Sequence, residues 1–254
     1  MDNTQRFSHR VDDYQRYRPG YPDELIETLR HYCALKPGDP VADVGAGTGI
    51  FTQKLIEVGL QVYAIEPNTA MRNMAEQQLG KAPNFTSLDG SAESSGLDSS
   101  SVRLITVAQA FHWFNNTPAH MEFTRVLQAD GYLALIWNRR RMQQAFQQAY
   151  ESLLQRNAPD YGKVNHMDIG DDQISDFFGH RQVNKLCFDY RQQLDFDGLL
   201  GRVKSSSYCP QESSPEFAQL RNELEKLFHQ HATNGRIDFD YDTELFIGRM
   251  HGNK

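Results

Sequence analysis

The segment VADVGAGTG, residues 41–49, places three alternating glycines directly after an apolar run. A glycine turn at the end of a buried strand lets a ligand lie against the backbone. A phosphate-binding loop would continue with lysine, and a dinucleotide-binding turn would need glycine where Ile50 stands. The carboxylate of Asp43, two residues before the first glycine, repels phosphate and attracts an ammonium group. The turn therefore favours a ligand with a cationic end and no phosphate.

Two further acidic residues follow the next strand-like segments. Glu66 ends QVYAIE, and an acid at the end of the second strand of such a sheet accepts both hydroxyls of a ribose. Asp89 lies within LDGSAE, after the third segment, where its carboxylate is placed to accept the exocyclic amine of an adenine beside Ala92. An ammonium group, a ribose and an adenine without phosphate together describe S-adenosylmethionine.

Four phrases, VADVGAGTG, AIEPN, LDGSAE and AQAFHWF, carry a resemblance to a known family. Over residues 40–138 the chain resembles the class I S-adenosylmethionine-dependent methyltransferases. The N-terminal FSHRVDDYQRYRPGYP resembles the small-molecule branch that includes trans-aconitate methyltransferase-like proteins, and KSSSYCP and ELFIGRM do so less specifically. Many members carry cysteine where this chain has Ala46, and both residues fit a close backbone approach. The resemblance implies S-adenosylmethionine as cofactor and S-adenosylhomocysteine as product.

The order of the elements agrees with such a fold. Apolar segments alternate with helix-like stretches from residue 40 to residue 138, which is typical of parallel βαβ units. The resemblance implies an α/β, Rossmann-like, doubly wound sheet of seven strands, mostly parallel with an antiparallel last strand. Lys185–Leu194 and Tyr241–Met250 are the predicted sixth and seventh strands. Helices are predicted at Phe7–Arg18, Pro22–Cys33, Gly49–Val58, Thr69–Leu79, Pro118–Leu127, Met142–Asn157, Phe196–Lys204 and Pro215–Ala232.

The chain divides into four predicted parts. Residues 1–21 form an N-terminal lid segment, and residues 22–138 form the cofactor-binding core. Residues 139–179 are predicted as a helical insertion over the active site, because the alternating pattern ends at Asn138. Residues 180–254 complete the sheet together with further helices.

The sequence and the resemblance together predict the cofactor site. Its predicted residues are Tyr14, Arg18, Asp43, Gly45, Ala46, Gly47, Gly49, Glu66, Pro67, Met71, Asp89, Gly90, Ser91, Ala92, Gln109 and Ala110. By resemblance, Tyr14 and Arg18 lie over the cofactor as part of the lid. The ring of Tyr14 would face the sulfonium, and Arg18 would pair with the cofactor carboxylate. The alternative is a surface helix whose aromatic residues fasten it to the sheet.

Five residues are predicted to contact the methyl acceptor: Tyr21, His112, Trp113, Trp137 and Arg139. His112 is the candidate catalytic base, since histidine titrates near neutral pH. The alternative is a hydrogen bond to a neighbouring loop, because a carboxylate acceptor needs no base. Trp113 packs on the adenine, lines the acceptor pocket, or acts as a hydrophobic plug. Arg139 would hold an acceptor carboxylate, or else mark the solvated start of a helix.

The composition narrows the class of partner. The chain has 254 residues and a net charge of -7, and its one basic run is Arg139–Arg141, so nucleic acid is not an expected partner. Three scattered cysteines indicate a reducing compartment. The polar N-terminus and the lack of a long apolar run predict a cytoplasmic protein without a membrane span. The histidine spacings predict no metal site, and the choice between monomer and homodimer stays open.

The predicted activity is methyl transfer from S-adenosylmethionine to a small molecule, with a carboxylate oxygen as the favoured acceptor. Two alternatives stay open at this point. One is an S-adenosylmethionine-binding protein without turnover. The other is a nucleotide-dependent oxidoreductase on a similar fold, because the same turn geometry serves many ligands.

Overall fold

Seven strands form one sheet within the described part of the chain. The computed structural model describes residues 11–159, 161 and 170–251. The strands are β1 (Pro40–Val44), β2 (Gln61–Ile65), β3 (Phe85–Leu88), β4 (Val102–Ala108), β5 (Leu127–Arg140), β6 (Val183–Leu194) and β7 (Ile237–Arg249). Their order in the sheet is β3-β2-β1-β4-β5-β7-β6. The strands β1 to β5 are parallel, and β7 is antiparallel to both β5 and β6, which confirms the predicted fold class.

Helices cover both faces of this sheet, and further helices pack on β7. They are α1 (Val11–Tyr17), α2 (Asp23–Tyr32), α3 (Ile50–Glu57), α4 (Thr69–Leu79), α5 (Asn116–Val126), α6 (Ala145–Asn157), α7 (Asp171–Phe177), α8 (Phe196–Lys204) and α9 (Pro215–His231), with a short 3₁₀ turn at Phe111–Trp113. The helix predicted from residue 7 is described only from Val11, because residues 1–10 lie outside the described part. None of these described helices is both long and apolar enough to cross a membrane.

The strand β5 is longer than the sequence pattern indicates. It continues past Asn138 to Arg140, because it pairs with β7 over its second half and brings Arg140 opposite Tyr241. The predicted boundary between the core and the insertion, at residue 139, therefore falls inside a strand. Within the predicted insertion the helices α6 and α7 are described, while residues 160 and 162–169 lie outside the described part.

Alternate residues of the central strands face two hydrophobic clusters on opposite sides of the sheet. In β1, Val41 packs in the cluster that contains Leu29 of α2. Ala42 and Val44 belong to the other cluster, which contains Phe123 of α5. Because both faces are covered, the strand sequences appear as nearly continuous apolar runs. The ends of the strands are then the accessible part of the sheet, where ligands bind in open α/β folds.

A third hydrophobic cluster lies at the β6–β7 side of the sheet and fixes the position of α8. It joins the apolar faces of α6, α8 and α9 to the first half of β7, as in the packing of Leu154, Leu199, Leu224 and Phe239. Of the described helices of the predicted insertion, α6 thus packs into this cluster, and α7 packs through Ile174 and Phe177 into the cluster that contains Phe123.

The N-terminal segment, residues 11–20, is held against the sheet and α8 by several contacts. The ring of Tyr17 in α1 packs directly on Gly201 of α8. Gln192 donates a hydrogen bond to the carbonyl oxygen of Tyr17, at 3.0 Å. Asn138 donates to the carbonyl oxygen of Gly20, at 2.9 Å. These contacts tie residues 11–20 to β5, β6 and α8.

Gly201→Ala is expected to loosen this segment. A Cβ atom at position 201 would lie 2.2 Å from the ring of Tyr17, so α1 or α8 must move. Overpacking of this kind costs roughly 1–3 kcal/mol. Chemical denaturation should show a lower free energy of unfolding, and limited proteolysis should cleave α1 faster.

Gly170→Ala is the matched control, because a Cβ atom there meets no atom of the described residues within 4 Å. Equal stability and equal cleavage of the two variants would contradict the packing of α1 on α8.

Candidate functional site

The carboxyl ends of the parallel strands open into a cavity of about 280 Å³. Its floor comes from the β1–α3 loop, the β2–α4 turn and the end of β4, and the N-terminal segment contributes its roof. Many of the predicted site residues line it: Tyr14, Arg18, Tyr21, Asp43, Gly45, Ala46, Gly47, Glu66, Pro67, Met71, Ser91, Ala92, Gln109, Ala110, His112 and Trp113. The predicted residues outside the lining are Gly49, Asp89, Gly90, Trp137 and Arg139. Asn138, the last residue of the predicted core, lines the cavity, but no described residue of the predicted insertion does so.

The three glycines of the turn have different roles. Gly45 has a φ of +71°, and a Cβ atom there would lie 2.5 Å from the Cβ of Ala110. Gly49 has a φ of +86°, and a Cβ atom would lie 2.7 Å from a side-chain carbon of Leu79, so this glycine serves the packing of α3 on α4. Gly47 has a φ of +58° and meets only the sulfur of Met71, at 3.7 Å. The turn therefore approaches the cavity through Gly45 and Gly47.

Glu66 joins the glycine turn to the start of α4. One carboxylate oxygen accepts the amide of Gly47 at 2.9 Å, and the other accepts the amide of Asn68 at 2.8 Å. The side chain of Asn68 in turn accepts the amide of Met71 and caps α4. Burial raises the pKa of Glu66, and the two amide hydrogen bonds oppose that rise. A largely buried acceptor thus lies where two walls of the cavity meet.

Asp43 lies near the end of β1, two residues before the first glycine of the turn, and is 1% exposed. Its oxygens accept the hydroxyls of Thr52 at 2.6 Å and Thr106 at 2.8 Å. Both partners are neutral, so burial dominates and raises the pKa of Asp43 to about 6. A ligand cation in the cavity would favour the ionised form.

Asp89 is placed differently from the expectation. Its side chain is exposed and forms an ion pair with Arg72 at 3.1 Å, outside the cavity. The chain turns sharply after β3, where Gly90 packs against the carbonyl oxygens of Ser94 and Ser95. Ser91 and Ala92 then line the cavity together with an acid that the sequence reasoning missed, Glu93.

Trp137 and Arg139 are also placed away from the cavity, because β5 continues through both of them and they lie on the face opposite to Asn138, which lines the cavity. Trp137 is 4% exposed and packs edge-on against Phe111 and Phe246 in the core. Arg139 pairs with Glu244 of β7. The following arginines are paired as well: Arg140 with Glu151 at 2.6 Å, and Arg141 with Asp189 and Asp242.

The roof of the cavity contains the predicted lid residues. The guanidinium of Arg18 lies 4.9 Å from the centre of the Tyr14 ring and donates to the carbonyl oxygen of Ser205 at 3.2 Å. One face of Tyr14 is therefore already occupied by a cation. Tyr21 packs edge-on against Phe51, and burial raises its pKa well above the usual value, so it is a neutral phenol.

The structure adds a cation that the sequence reasoning missed. Arg202 of α8 lines the cavity, is 9% exposed, and lies over the rings of Phe239 and Tyr241 at 4.9 and 5.3 Å. Its Nε and Nη1 atoms and the hydroxyl of Tyr241 are buried and have no hydrogen-bond partner among the described residues. The available sequence signal was a charge on the apolar face of α8, three residues after Leu199.

Comparison with known proteins identifies the family. The family model described as "Methyltransferase domain" matches residues 42–135. An uncharacterized methyltransferase of Geobacillus sp. (strain WCH70) is 30% identical over 211 residues, which cover 78% of this chain and 96% of that protein. An uncharacterized methyltransferase of Mycobacterium tuberculosis is 40% identical over 139 residues. The chain spans about half the length of this second relative, 54%, and the match covers 55% of the chain itself.

Solved structures share the fold. A candidate type II methyltransferase from Anaeromyxobacter dehalogenans superposes with a TM-score of 0.66 at 21% identity, covering 93% of this chain and 100% of that one. Phosphoethanolamine N-methyltransferase 2 of Haemonchus contortus, in complex with phosphomonomethylethanolamine and S-adenosylhomocysteine, gives a TM-score of 0.57 at 15% identity. That match covers 97% of this chain and 58% of the other. The chain thus shares its fold with these methyltransferases.

The buried carboxylate of Asp43 predicts a specific pH dependence of stability. Its pKa rises from 3.8 to about 6 in the folded ligand-free protein, so the unfolded chain loses this proton first as the pH rises. The free energy of unfolding should therefore fall between about pH 4 and pH 6, by about 3 kcal/mol from this group. Asp43→Asn removes this dependence, and chemical denaturation of both proteins across this range measures it.

The advantage of the wild type over Asp43→Asn should shrink or reverse as the pH rises. Asp130→Asn, at an exposed position on β5, is the control and should follow the wild type. A stability difference between the wild type and Asp43→Asn that stays constant with pH would contradict the burial of an ionisable Asp43.

Proposed function

This chain belongs to the methyltransferase family, and we propose that it transfers the methyl group of S-adenosylmethionine to a carboxylate oxygen of a small molecule. One observation carries the cofactor part of this proposal. The glycine turn opens into a cavity between two buried carboxylates, Asp43 and Glu66. These groups suit an ammonium and a ribose, and they oppose a phosphate.

The local geometry supports this cofactor. Asp43 would hold the ammonium group, and Glu66 would accept the ribose hydroxyls beside the amide of Gly47. Ser91 and Ala92 line the part of the cavity where an adenine would lie, beyond Glu66. The hydroxyl of Thr48 lines the cavity, is buried, and has no hydrogen-bond partner among the described residues, as expected of a wall that meets a polar ligand.

The size and cover of the cavity support a small acceptor. Its volume of about 280 Å³ lies just below the range of about 300–1,000 Å³ that is typical of small-molecule sites. The roof residues Tyr14 and Arg18 are fastened through the N-terminal segment to α8 and β5. A roof held in this way limits the water around the reacting atoms, and a drier site favours a transfer in which the charges of donor and acceptor cancel.

The chemistry of the walls supports a carboxylate acceptor. When bound, S-adenosylmethionine supplies a methyl group activated by its sulfonium, and a C–O bond forms as the C–S bond breaks and its electron pair passes to sulfur. A carboxylate gives up no proton in this step, so no side chain has to act as a base. Tyr21 stays protonated and so offers a hydrogen-bond donor to the acceptor, while His112 packs against its neighbour Trp113, whose ring centre lies 4.5 Å away.

Glu66→Gln tests the cofactor. Glutamine keeps the shape of the side chain but loses the charge and one of the two acceptor oxygens. The affinity for S-adenosylhomocysteine, measured by calorimetric titration, should fall by about tenfold or more, as for one charged hydrogen bond. NAD serves as the control ligand and should bind neither protein.

Glu225→Gln, at an exposed position on α9, is the matched control variant. An unchanged affinity of Glu66→Gln for S-adenosylhomocysteine, or binding of NAD to the wild type, would contradict the proposed cofactor site.

His112→Asn separates a carboxylate acceptor from one that must lose a proton. A general base contributes about 10²–10⁴-fold to a rate, so the variant should lose less than tenfold of its activity if the acceptor is a carboxylate. The assay follows the labelled methyl group of S-adenosylmethionine into a mixture of small organic acids, and counts base-labile product as methyl ester.

His229→Asn, at an exposed position on α9, is the control for this assay. A loss of a hundredfold or more in His112→Asn, or product that resists base, would contradict the proposed O-methylation of a carboxylate.

A further inference from the structure

We propose that Arg202 binds the carboxylate of the methyl acceptor, and that the acceptor is therefore an organic acid with an apolar body. This inference rests on the proposed function, since it assigns the acceptor half of the same cavity. It adds the side chain that would recognise the acceptor.

Arg202 is built into the wall and does not point into solvent. Its guanidinium lies over the aromatic rings of Phe239 and Tyr241, which occur two residues apart in β7 and so face the same side. Within the residues that the structure describes, none of its side-chain nitrogens takes part in a hydrogen bond or an ion pair. Because a buried guanidinium without a partner is unfavourable, the arrangement indicates that a ligand supplies the partner.

The acidic side chains near β7 are already paired and leave Arg202 without a counterion. Asp240 faces the opposite side of the strand and pairs with Arg191, at 2.6 Å. Glu151 pairs with Arg140 and accepts the hydroxyl of Tyr161. The charges of Arg202, Arg140 and Arg18 all act on Tyr241, whose pKa burial raises. This end of the cavity is therefore positive before any ligand binds.

Arg202 lies at the end of the cavity that is distant from the predicted cofactor groups. Glu66 follows β2, whereas Arg202 packs on β7, and β1, β4 and β5 lie between them. Four inter-strand spacings amount to roughly 19 Å. Arg18 lies between the two ends, because its charge acts on Tyr21 beside Asp43 and on Tyr241 beside Arg202. Arg18 is thus placed for the cofactor carboxylate, and Arg202 remains for the acceptor.

The surrounding walls suit an acid with an apolar body. The side chains of Trp113, Phe114 and Tyr241 line the cavity, and they offer flat apolar surfaces. A guanidinium fork, formed by Nη2 with either Nε or Nη1, binds a carboxylate through two parallel hydrogen bonds, and the hydroxyl of Tyr241 is a further donor without a partner. An acid held in this way keeps one oxygen lone pair free for the methyl carbon.

Binding of simple acids tests the assignment without knowledge of the natural acceptor. Benzoate and hexanoate are titrated calorimetrically into the full chain in the presence of S-adenosylhomocysteine, with benzamide and hexanamide as neutral counterparts. We expect the wild type to bind at least one acid and neither amide. Arg202→Met should weaken acid binding by roughly tenfold or more, as for a lost charged hydrogen bond. Arg202→Lys should recover part of it, because charge remains without the planar fork.

Arg221→Met, at an exposed position on α9, is the matched control and should bind like the wild type. Thermal unfolding adds a readout that a purely packing role would not give. Removal of an unpaired buried charge should raise the melting temperature of ligand-free Arg202→Met, whereas loss of a packing contact would lower it.

Several outcomes would overturn the proposal. They are the binding of an acid to Arg202→Met as tightly as to the wild type, the binding of neither acid to the wild type, and stabilisation by inorganic phosphate in place of the acids. A loss of S-adenosylhomocysteine affinity in Arg202→Met would assign this arginine to the cofactor. Failure of the wild type to bind S-adenosylhomocysteine would instead refute the proposed cofactor, and acid binding without it would leave the role of Arg202 as an anion site intact.

Discussion

The burial of two carboxylates beside the glycine turn is the constraint on which the rest of this structure depends. Asp43 is held by two threonine hydroxyls, and Glu66 is held by two backbone amides. Burial raises the pKa of both groups, and the negative charge of Asp43 raises the pKa of Glu66 further. Within the described residues neither carboxylate forms an ion pair with a side chain. The ligand-free fold therefore carries an electrostatic cost that a bound cation would relieve.

The antiparallel strand β7 provides the positively charged end of the cavity, opposite the two carboxylates. In a wholly parallel sheet, this edge would carry only the ends of strands and the loops that follow them. Because β7 runs the other way, its early residues lie at the same edge, and Tyr241 comes opposite Arg140 of β5. The third hydrophobic cluster places α8 on these residues, so that Arg202 lies above Tyr241. Acidic groups at β1 and β2 and guanidinium groups near β7 thus polarise one cavity along the strand ends.

Much of the fold, and the place of Asp43 and Glu66 in the cavity wall, was predictable from sequence, because both depend on local patterns. Asp43 lies one residue before the end of β1, Glu66 directly follows β2, and the ends of parallel strands meet at one edge. Asp89 was placed wrongly, because a turn after β3 directs it to Arg72 on α4. The length of β5 depends on pairing with β7, about a hundred residues away along the chain, so the burial of Trp137 and the pairing of Arg139 had no local signal. Arg202 enters the cavity through the same long-range packing.

The proposed reaction changes the charge of the acceptor, so the contact with Arg202 would both bind the acid and weaken once the ester has formed. Before transfer, a carboxylate pairs with the buried guanidinium and neutralises it. Afterwards the acceptor is a neutral ester, which offers only weak hydrogen-bond acceptors, and the ion pair is lost. The site therefore favours the acid over its own product by the difference between a charged and a neutral hydrogen bond. The roof would not have to open to discriminate between them, because the chemistry itself removes the interaction that holds the acceptor in place.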